Sequence, residues 1–396
     1  MFRQRVIHLL LIFMILLTQP GCWSSKEIED LSVITGLALD KGEPKALERE
    51  FEERGGSYQK HNKVTATVQI VPERTIGNSG KDGETINTHF NNISETGDSL
   101  LEIFRQFSIR KNRPIIGQHL KVIVISEDLV QQEKIRQLMD FVLRDNDIRP
   151  SCLIFLSQGR ASDTLMTTEE EIPSFRLVEM VRNNFRTSKV MKGITLSNLD
   201  ALMYSKQSFV LQNVVEAQGE VKFSGAGIIK GDTGHWIGNL DQHDVESIAW
   251  IKGGIKGGNI KAYDQSNDSI TYEIKSVKSK ITLNETDDKK ISFHVAIEST
   301  GRLIENWDVE KHSSNVDYFK ELEKIFEEKL TQHINALIHK MQSTYKVDVA
   351  GFGDWYSIEN PHVWKKIKDH WDEEFTRIPL TFDLKLKITD FGSTSD

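Results

Sequence analysis

The sequence predicts an α+β protein of three consecutive lobes, in which mixed or antiparallel sheets pack with helices. Apolar strands alternate with amphipathic helices through the first half of the chain, and a strand-rich pattern follows. Near the C-terminus, a long helix precedes a final strand in which apolar and polar residues alternate. Of the 396 residues, 38% are hydrophobic and 27% charged, which is typical of folded domains rather than disordered chains.

Residues 1–21 have the pattern of a secretion signal. Arg3 and Arg5 supply a positive start, and nine apolar residues, Leu9–Leu17, follow them. This run is too short to span a bilayer, which takes about 20 residues. The sequence therefore predicts a removable signal ahead of a body without membrane-spanning segments.

The body of the protein is acidic. The whole chain has a formal charge of −8, and without Arg3 and Arg5 there remain 48 basic against 58 acidic residues, a charge of −10. This balance argues against broad binding to the phosphates of a nucleic acid. It also argues against electrostatic adhesion to an anionic membrane, so any membrane attachment would have to be covalent.

Cys22 is the predicted lipid attachment site. A cysteine directly after such a signal, with the small Gly21 before it, is typical of a lipoprotein acceptor whose thiol receives a diacylglyceryl group. Cleavage before Cys22 would leave it as the N-terminus, with a further acyl chain on its amino group. Two chains anchor a protein stably, whereas one is marginal. Gln19–Pro20 depart from the aliphatic and small residues usual there, and the alternative is an ordinary secretion signal with a chance cysteine.

Cys152 is the second of the two cysteines. It lies in the apolar run SCLIFL, which predicts a buried strand where a thiol acts as a small hydrophobe. Two cysteines do not make a disulfide framework, and Cys22 has no predicted structural partner.

The N-terminal lobe is predicted over 23–195, with partly parallel strands. Its predicted strands are SVITGLALD, VTATVQIV, LKVIVIS and SCLIFLSQG. Its predicted helices are SETGDSLLEIFRQFS and EKIRQLMDFVLRD, and residues 172–207 form a largely helical bridge. The segment 41–63 is charged and contains glycines, which predicts an exposed excursion.

A middle, strand-rich lobe is predicted over 196–262. Its predicted strands are FVLQNVVEA, VKFSGAGIIKG, HWIGNL and ESIAWIKGG. Glycine content alone makes GAGIIKGDTG similar to a phosphate-binding loop. No helix pattern follows it, so a hairpin is the better interpretation.

The C-terminal lobe is predicted over 263–396. Two alternating strands flank the turn Asp287–Lys290, and a helix covers 316–341. A second helix begins with Asn360 as N-cap and Pro361 at the first helical position. The chain closes with IPLTFDLKLKITD, whose apolar residues alternate as in a half-buried strand of an antiparallel lobe.

Catalytic and metal-binding motifs are scarce, and the sequence predicts no catalytic residue, metal or cofactor. It contains no HExxH, CxxC, Walker or GxSxG motif. Asp241, His243 and Asp244 lie close together, with His235 nearby, but we interpret them as a polar turn between strands. A metal site needs three or four converging ligands. A pair of carboxylates brought together only by folding is left open.

Trp364 and Trp371 are seven residues apart, which puts both on one helical face. This face is either a surface on which a ligand stacks or part of the core. Ile367 and Phe375 share it, and they favour the core.

The segment CWSSKEIEDLSVITGLALD resembles the opening of the mature C subunits of spore germinant receptors, the Ger(x)C lipoproteins. The matching residues are Cys22, Trp23, Glu27, Ile28, Asp30, Ile34, Gly36, Ala38, Leu39 and Asp40. Later segments are similar to the same family: GQHLKVIVISEDL, LMDFVLRDNDIRPSCLIFLSQGRASDTL, GAGIIKGDTGHWIGNL and GFGDWYSIENPHVWKKIKDHWDEEF. The resemblance runs to about Phe391. It departs from the family at Gln19–Pro20 and at a charged insertion over 43–58.

The resemblance implies a subunit of a nutrient sensor without catalytic activity. Anchored through Cys22 to the outer face of the inner spore membrane, it would act with membrane-embedded A and B subunits in receptor assembly and in the signalling that triggers germination. The family's three α+β lobes agree with the lobes predicted above. The alternatives are a solute-binding lipoprotein of an uptake system and a cell-envelope hydrolase. Two similar α/β lobes would favour the former, and acid/base or nucleophile motifs the latter.

Overall fold

The computed structural model describes residues 4–5, 31–71, 90–166, 171–285, 291–307 and 316–390. The strands are β1 (Ser32–Lys41), β2 (Val64–Val71), β3 (Asn91–Gly97), β4 (Ile115–Ile116), β5 (Val122–Ser126), β6 (Leu153–Gln158), β7 (Phe209–Ala217), β8 (Glu220–Ile229), β9 (Trp236–Leu240), β10 (Asn259–Tyr263), β11 (Ser269–Glu285), β12 (Ile291–Asn306) and β13 (Leu380–Asp390). The α-helices are α1 (Ala46–Phe51), α2 (Leu100–Arg110), α3 (Glu127–Gln132), α4 (Ile135–Arg144), α5 (Pro173–Arg182), α6 (Leu196–Ser205), α7 (Gln242–Lys252), α8 (Val316–His339), α9 (Phe352–Glu359), α10 (Pro361–Ile367) and α11 (Trp371–Phe375).

The strands form two sheets, so the α+β class is confirmed. The larger sheet has the order β3-β2-β1-β5-β6-β7-β8-β9, and β4 pairs with β1. Strands β1, β5, β6 and β7 are parallel to one another, and the outer strands are antiparallel. β5 is buried along its whole length and β1 nearly so, as expected of parallel strands covered on both faces.

The segment predicted as an exposed excursion is partly helical and packs on this sheet. α1 brings Glu48 against β3, where its carboxylate accepts hydrogen bonds from the backbone N–H and the hydroxyl of Thr96. Lys60 lies beside Glu48 and forms a closer ion pair with Glu95. The surrounding side chains of the segment are mostly exposed, and this small buried network holds it on the sheet.

The strands predicted as a separate middle lobe join the larger sheet. β7 pairs in parallel with β6, and β8 and β9 extend the sheet beyond β7. Two sheets, rather than three, therefore make up the part of the chain that the structure describes. The three lobe boundaries remain a prediction.

The segment ESIAWIKGG is a helix, and its assignment as a strand is wrong. Asp241 caps α7: its carboxylate accepts hydrogen bonds from the backbone N–H groups of His243 and Asp244. The Asp244 carboxylate in turn accepts one from the N–H of Asp241. Gly253 ends the helix in a left-handed conformation, with φ of 64°. Most of α7 is buried, so it lacks the polar stripe by which an amphipathic helix is recognised.

The smaller sheet has the order β10-β11-β12-β13. β13 runs parallel to β12, so this sheet is mixed rather than antiparallel. α8 and the π-helical turn that follows it (Lys340–Tyr345) pack on it through a stripe of buried residues: Leu322, Phe326, Leu330, Ile334, Leu337 and Met341. Polar residues of β13 are exposed and its apolar ones face the helix side. The long helix and the alternating final strand are therefore confirmed.

The second C-terminal helix is interrupted. α10 ends at Ile367, a 3₁₀ turn covers Lys368–His370, and α11 follows. Trp371 is 3% exposed and packs edge-to-face on Trp364, with 5.2 Å between ring centroids. Tyr356 stacks on Trp371 at 5.5 Å. These rings belong to the core of the smaller sheet, as predicted, and do not form an open stacking surface.

Candidate functional site

Cys22, the predicted lipid attachment site, lies outside the described residues. The first described strand, β1, begins at Ser32, ten residues further along the chain. β1 pairs with β2 on one side and with β4 and β5 on the other, so the segment after Cys22 leads into the centre of the larger sheet. None of the described helices is long and apolar enough to cross a membrane.

One edge of the larger sheet, here called the N-terminal edge, is formed by the starts of the parallel strands. It comprises the segments 111–121, 145–151, 206–208 and 230–235, which precede β5, β6 and β7 or follow β8. The backbone N–H of Ser32 donates to the Pro114 carbonyl at this edge, over 2.9 Å. The four segments contain six Lys or Arg residues against three Asp. This edge is therefore locally basic in an acidic protein.

Asp348 organises the segment that precedes α9, beside the junction between the two sheets. One of its carboxylate oxygens accepts hydrogen bonds from the N–H groups of Ala350 and Gly351, over 3.1 and 2.9 Å. The other accepts from the Gly353 N–H and the Trp371 indole N–H, over 2.6 and 2.8 Å. The segment GFGDW, which opens the family-like stretch GFGDWYSIENPHVWKKIKDHWDEEF, is thus folded around one buried carboxylate.

Asp372 connects this centre to the larger sheet. Its carboxylate accepts hydrogen bonds from the Ser208 hydroxyl, next to β7, and from the Asp348 backbone N–H. Burial raises the pKa of Asp372, and the hydrogen bond from Ser208 opposes that shift. The two sheets are joined here by polar contacts rather than by a flexible linker.

Glu127 belongs to a buried polar cluster at the C-terminal end of β5. Burial raises the pKa of Glu127, and the Asn239 amide donates to one of its carboxylate oxygens over 3.0 Å. The other oxygen of Glu127 and the side-chain oxygens of Ser126 and Asn213 are buried without a hydrogen-bond partner in the structure. Buried polar atoms are normally hydrogen-bonded, and one ordered water between these groups would supply the missing partner.

Two kinds of cavity lie near the junction. Adjoining clefts of about 670 and 730 Å³ share a charged lining that includes Lys206, Lys230 and Lys368. A pocket of about 500 Å³ lies against α7 and is mainly apolar, with Met191, Ile248 and other aliphatic side chains. The lining of this pocket contains no carboxylate, histidine or cysteine, and its polar side chains include Ser188, Lys192 and Lys252.

The predicted polar turn at Asp241 is a helix start, and its residues divide into separate roles. Asp241 and Asp244 cap α7 and form ion pairs with Lys340. His235 lies elsewhere, with its Nδ1 atom 3.2 Å from the Val130 carbonyl. Of these four residues, only His243 lies close to two other side chains that could bind the same metal ion.

His243 lies close to Glu246 and His333, two residues that no sequence motif indicated. Its Nδ1 lies 3.6 Å from the nearer carboxylate oxygen of Glu246, and its ring centroid lies 4.3 Å from that of His333. Burial, together with the charges of His243, Lys329 and Lys189, lowers the pKa of His333 to about 4. His333 is ninety residues from His243, so only the packing of α7 on α8 reveals the group.

Cys152 is buried, as predicted, and is 1% exposed. Burial raises the pKa of its thiol. A thiol that remains protonated and enclosed is a core residue rather than a nucleophile.

The comparisons with known proteins assign the class. Two family models match nearly the whole body: "Spore germination protein N-terminal domain" over 24–216, and "Spore germination B3/ GerAC like, C-terminal" over 224–392. The chain belongs to this family of spore germination proteins, the C subunits of spore germinant receptors.

Among its relatives in Bacillus subtilis (strain 168) is "Spore germination protein YndF", 39% identical over 99% of this chain and 98% of the relative. "Spore germination protein B3" is 30% identical over 96% of this chain and 97% of the relative. A solved structure described as "Crystal Structure of the GerBC protein" is similar, with a TM-score of 0.61 and 26% identity. The match covers 82% of this chain and 93% of that one.

Proposed function

We propose that this germinant-receptor C subunit is held by lipid on Cys22 at the outer face of the inner spore membrane. There it acts with membrane-embedded A and B subunits in receptor assembly and in the signalling that triggers germination. The observation that carries the proposal is the start of the family match at residue 24, two residues after Cys22. Residues 1–23, which contain the predicted secretion signal and Cys22, precede the match.

The path from Cys22 to Ser32 supports a short tether. Ten residues span at most about 35 Å when fully extended. The larger sheet would therefore stay near the bilayer, with its N-terminal edge closest to the surface. The local excess of Lys and Arg on this edge suits anionic headgroups, although the charge of the whole body is negative.

A role in assembly and signalling agrees with the sites described above. The hydrogen bond from Ser208 to Asp372 joins the smaller sheet's helices to the larger sheet, and the Asp348 backbone N–H holds Asp372 in place. Such a rigid body suits a subunit that contacts other subunits. A solute-binding lipoprotein is less well supported, because the two sheets have different strand orders and do not form two similar lobes.

Substitution of Cys22 tests the anchor. We expect Cys22→Ala to release the folded protein from membranes into the aqueous phase of a detergent partition. Cys152→Ala is the matched control: it removes the other thiol, which is buried, and should leave the protein in the membrane fraction. Retention of Cys22→Ala in the membrane would refute lipid attachment.

Deletion of the gene tests the role in germination. We expect deletant spores to lose their response to one set of nutrients while vegetative growth is unchanged. Re-expression of the wild-type protein should restore the response, and the Cys22→Ala protein should not. Normal germination with every nutrient, in a strain that lacks related receptors, would contradict the assignment.

A further inference from the structure

We propose that His243, Glu246 and His333 form a binding site for a divalent metal ion with the coordination chemistry of zinc. Each side chain offers one ligand atom, and the three atoms lie within 4.8 Å of one another. The proposal does not rest on the function proposed above, because it follows from this geometry alone.

Two packed helices hold the ligands. His243 and Glu246 are three residues apart in α7, which puts them on one face. The hydrogen bonds that Asp241 and Asp244 exchange fix the first turn of α7 at this point. His333 lies near the middle of α8, next to the buried Ile334. All three ligands therefore lie on helices whose backbone is held in place, by the cap of α7 for His243 and Glu246 and by packing of α8 for His333.

Glu246 is oriented by a second contact. The Ser188 hydroxyl donates a short hydrogen bond, of 2.5 Å, to one carboxylate oxygen of Glu246. The other oxygen points toward His243, which is too distant for a hydrogen bond. Ligating carboxylates are commonly held in this way by an outer partner. Burying a carboxylate costs free energy unless a cation pairs with it, and a bound metal ion would offset that cost for Glu246.

The His333 ring has no hydrogen bond or ion pair with any residue in the part of the chain that the structure describes. It is half-buried and contacts the His243 ring instead. Two imidazole rings held against each other in this way offer nitrogen lone pairs that a metal ion would use.

The ligand set selects the kind of metal. Zinc binds imidazole nitrogen and carboxylate oxygen at about 2.0–2.2 Å, so neighbouring ligand atoms in a tetrahedral site lie roughly 3.4 Å apart. The 3.6 Å separation of His243 and Glu246 is close to this spacing. His243 is exposed, so its ring can turn to complete the site. Two nitrogens and one oxygen favour zinc over magnesium or calcium, which prefer oxygen ligands alone.

A metal bound here would fasten three segments. α7 follows the larger sheet, α8 covers the smaller one, and Ser188 lies in the connection between α5 and α6. Three protein ligands leave one position for water, on the exposed side of His243. A metal ion at this site would therefore cross-link the segments at the junction and keep one open coordination position.

Calorimetric titration of Zn²⁺ into the full chain, purified in detergent without a histidine tag, tests the site. We expect one Zn²⁺ per chain and a rise in the melting temperature. His333→Ala and the nearly isosteric Glu246→Gln should each weaken binding at least about tenfold, and Ser188→Ala by about tenfold. His339→Ala, an exposed histidine on the same helix, is the matched control and should bind as the wild type does.

Equal Zn²⁺ affinity in the wild type and all these variants, or no binding by the wild type, would overturn the proposal. Because a variant can fail to fold, a spectroscopic measurement on the unaltered chain is a second test. Co²⁺ added in place of Zn²⁺ should give the intense visible absorption of a tetrahedral site. Weak absorption, typical of Co²⁺ in water, would also overturn the proposal.

Discussion

Asp348→Asn should strongly destabilise the protein, although the two side chains are nearly identical in shape. Each oxygen of Asp348 accepts two hydrogen bonds, from Ala350 and Gly351 on one side and from Gly353 and Trp371 on the other. An asparagine amide replaces one oxygen with an NH₂ group. Whichever way the amide turns, two buried N–H donors face another donor and lose their acceptor.

The cost follows from that count. A buried donor left without an acceptor costs about 1–3 kcal/mol, so two such donors predict a loss of roughly 2–6 kcal/mol in the free energy of unfolding. Urea unfolding, followed by tryptophan fluorescence and circular dichroism, measures the loss as a lower midpoint at unchanged slope. Asp200→Asn is the control, because Asp200 is exposed on α6 and its substitution should change stability by under about 0.5 kcal/mol.

A loss below about 1 kcal/mol for Asp348→Asn would refute this reasoning. It would mean that the chain around residues 350–353 rearranges to satisfy its donors in another way. A loss of the expected size, with the Asp200→Asn control unchanged, would identify the carboxylate as the centre that folds the junction.

Three further substitutions probe the larger sheet and the helix that follows β5. Gly225 has a φ of +69°, and an added Cβ would lie 2.0 Å from the Leu240 carbonyl oxygen, so Gly225→Ala should cost at least about 3 kcal/mol. Gly159→Ala, at φ of +97° with open space around it, should cost only about 1–2 kcal/mol, and equal losses would exclude the clash. Burial raises the pKa of Glu127, so its ionisation lowers stability as pH rises through that pKa. Glu127→Gln should therefore gain stability relative to the wild type between about pH 4 and pH 7, and a constant difference in urea midpoint would contradict this.

Local sequence patterns predict the elements that have one polar face. α8 and β13 each expose one side to water, so their apolar residues recur at 3.6- or 2-residue spacing. The same reasoning identified Trp371 and Phe375 as core residues. In these elements the spacing of apolar residues in the sequence matches the pattern of buried side chains in the structure.

Elements buried on nearly all sides do not carry such a pattern. α7 contains Val245, Ile248 and Ile251, which are β-branched, and Trp250, so its composition is typical of a strand. Its helical state depends on the cap at Asp241 and on packing against α8, which is distant in the sequence. The failure to predict α7 also removed Glu246 from view as a possible metal ligand.

Pairings between distant segments are equally inaccessible to local patterns. β7 follows more than fifty residues after β6, yet it pairs with β6 and brings the predicted middle strands into the larger sheet. β13 reaches β12 only after α8 to α11, which permits the parallel direction. His333 joins His243 by the same kind of long-range packing.

The central position of β1 has a mechanical consequence. Any pull transmitted along the chain from before Ser32 enters the sheet at a strand bonded on both sides, to β2 and to β5. To extract β1, the force must shear two ladders of hydrogen bonds together, whereas an edge strand could be peeled from a single neighbour. A force that enters the sheet from before Ser32 therefore meets more resistance at β1 than it would at an edge strand.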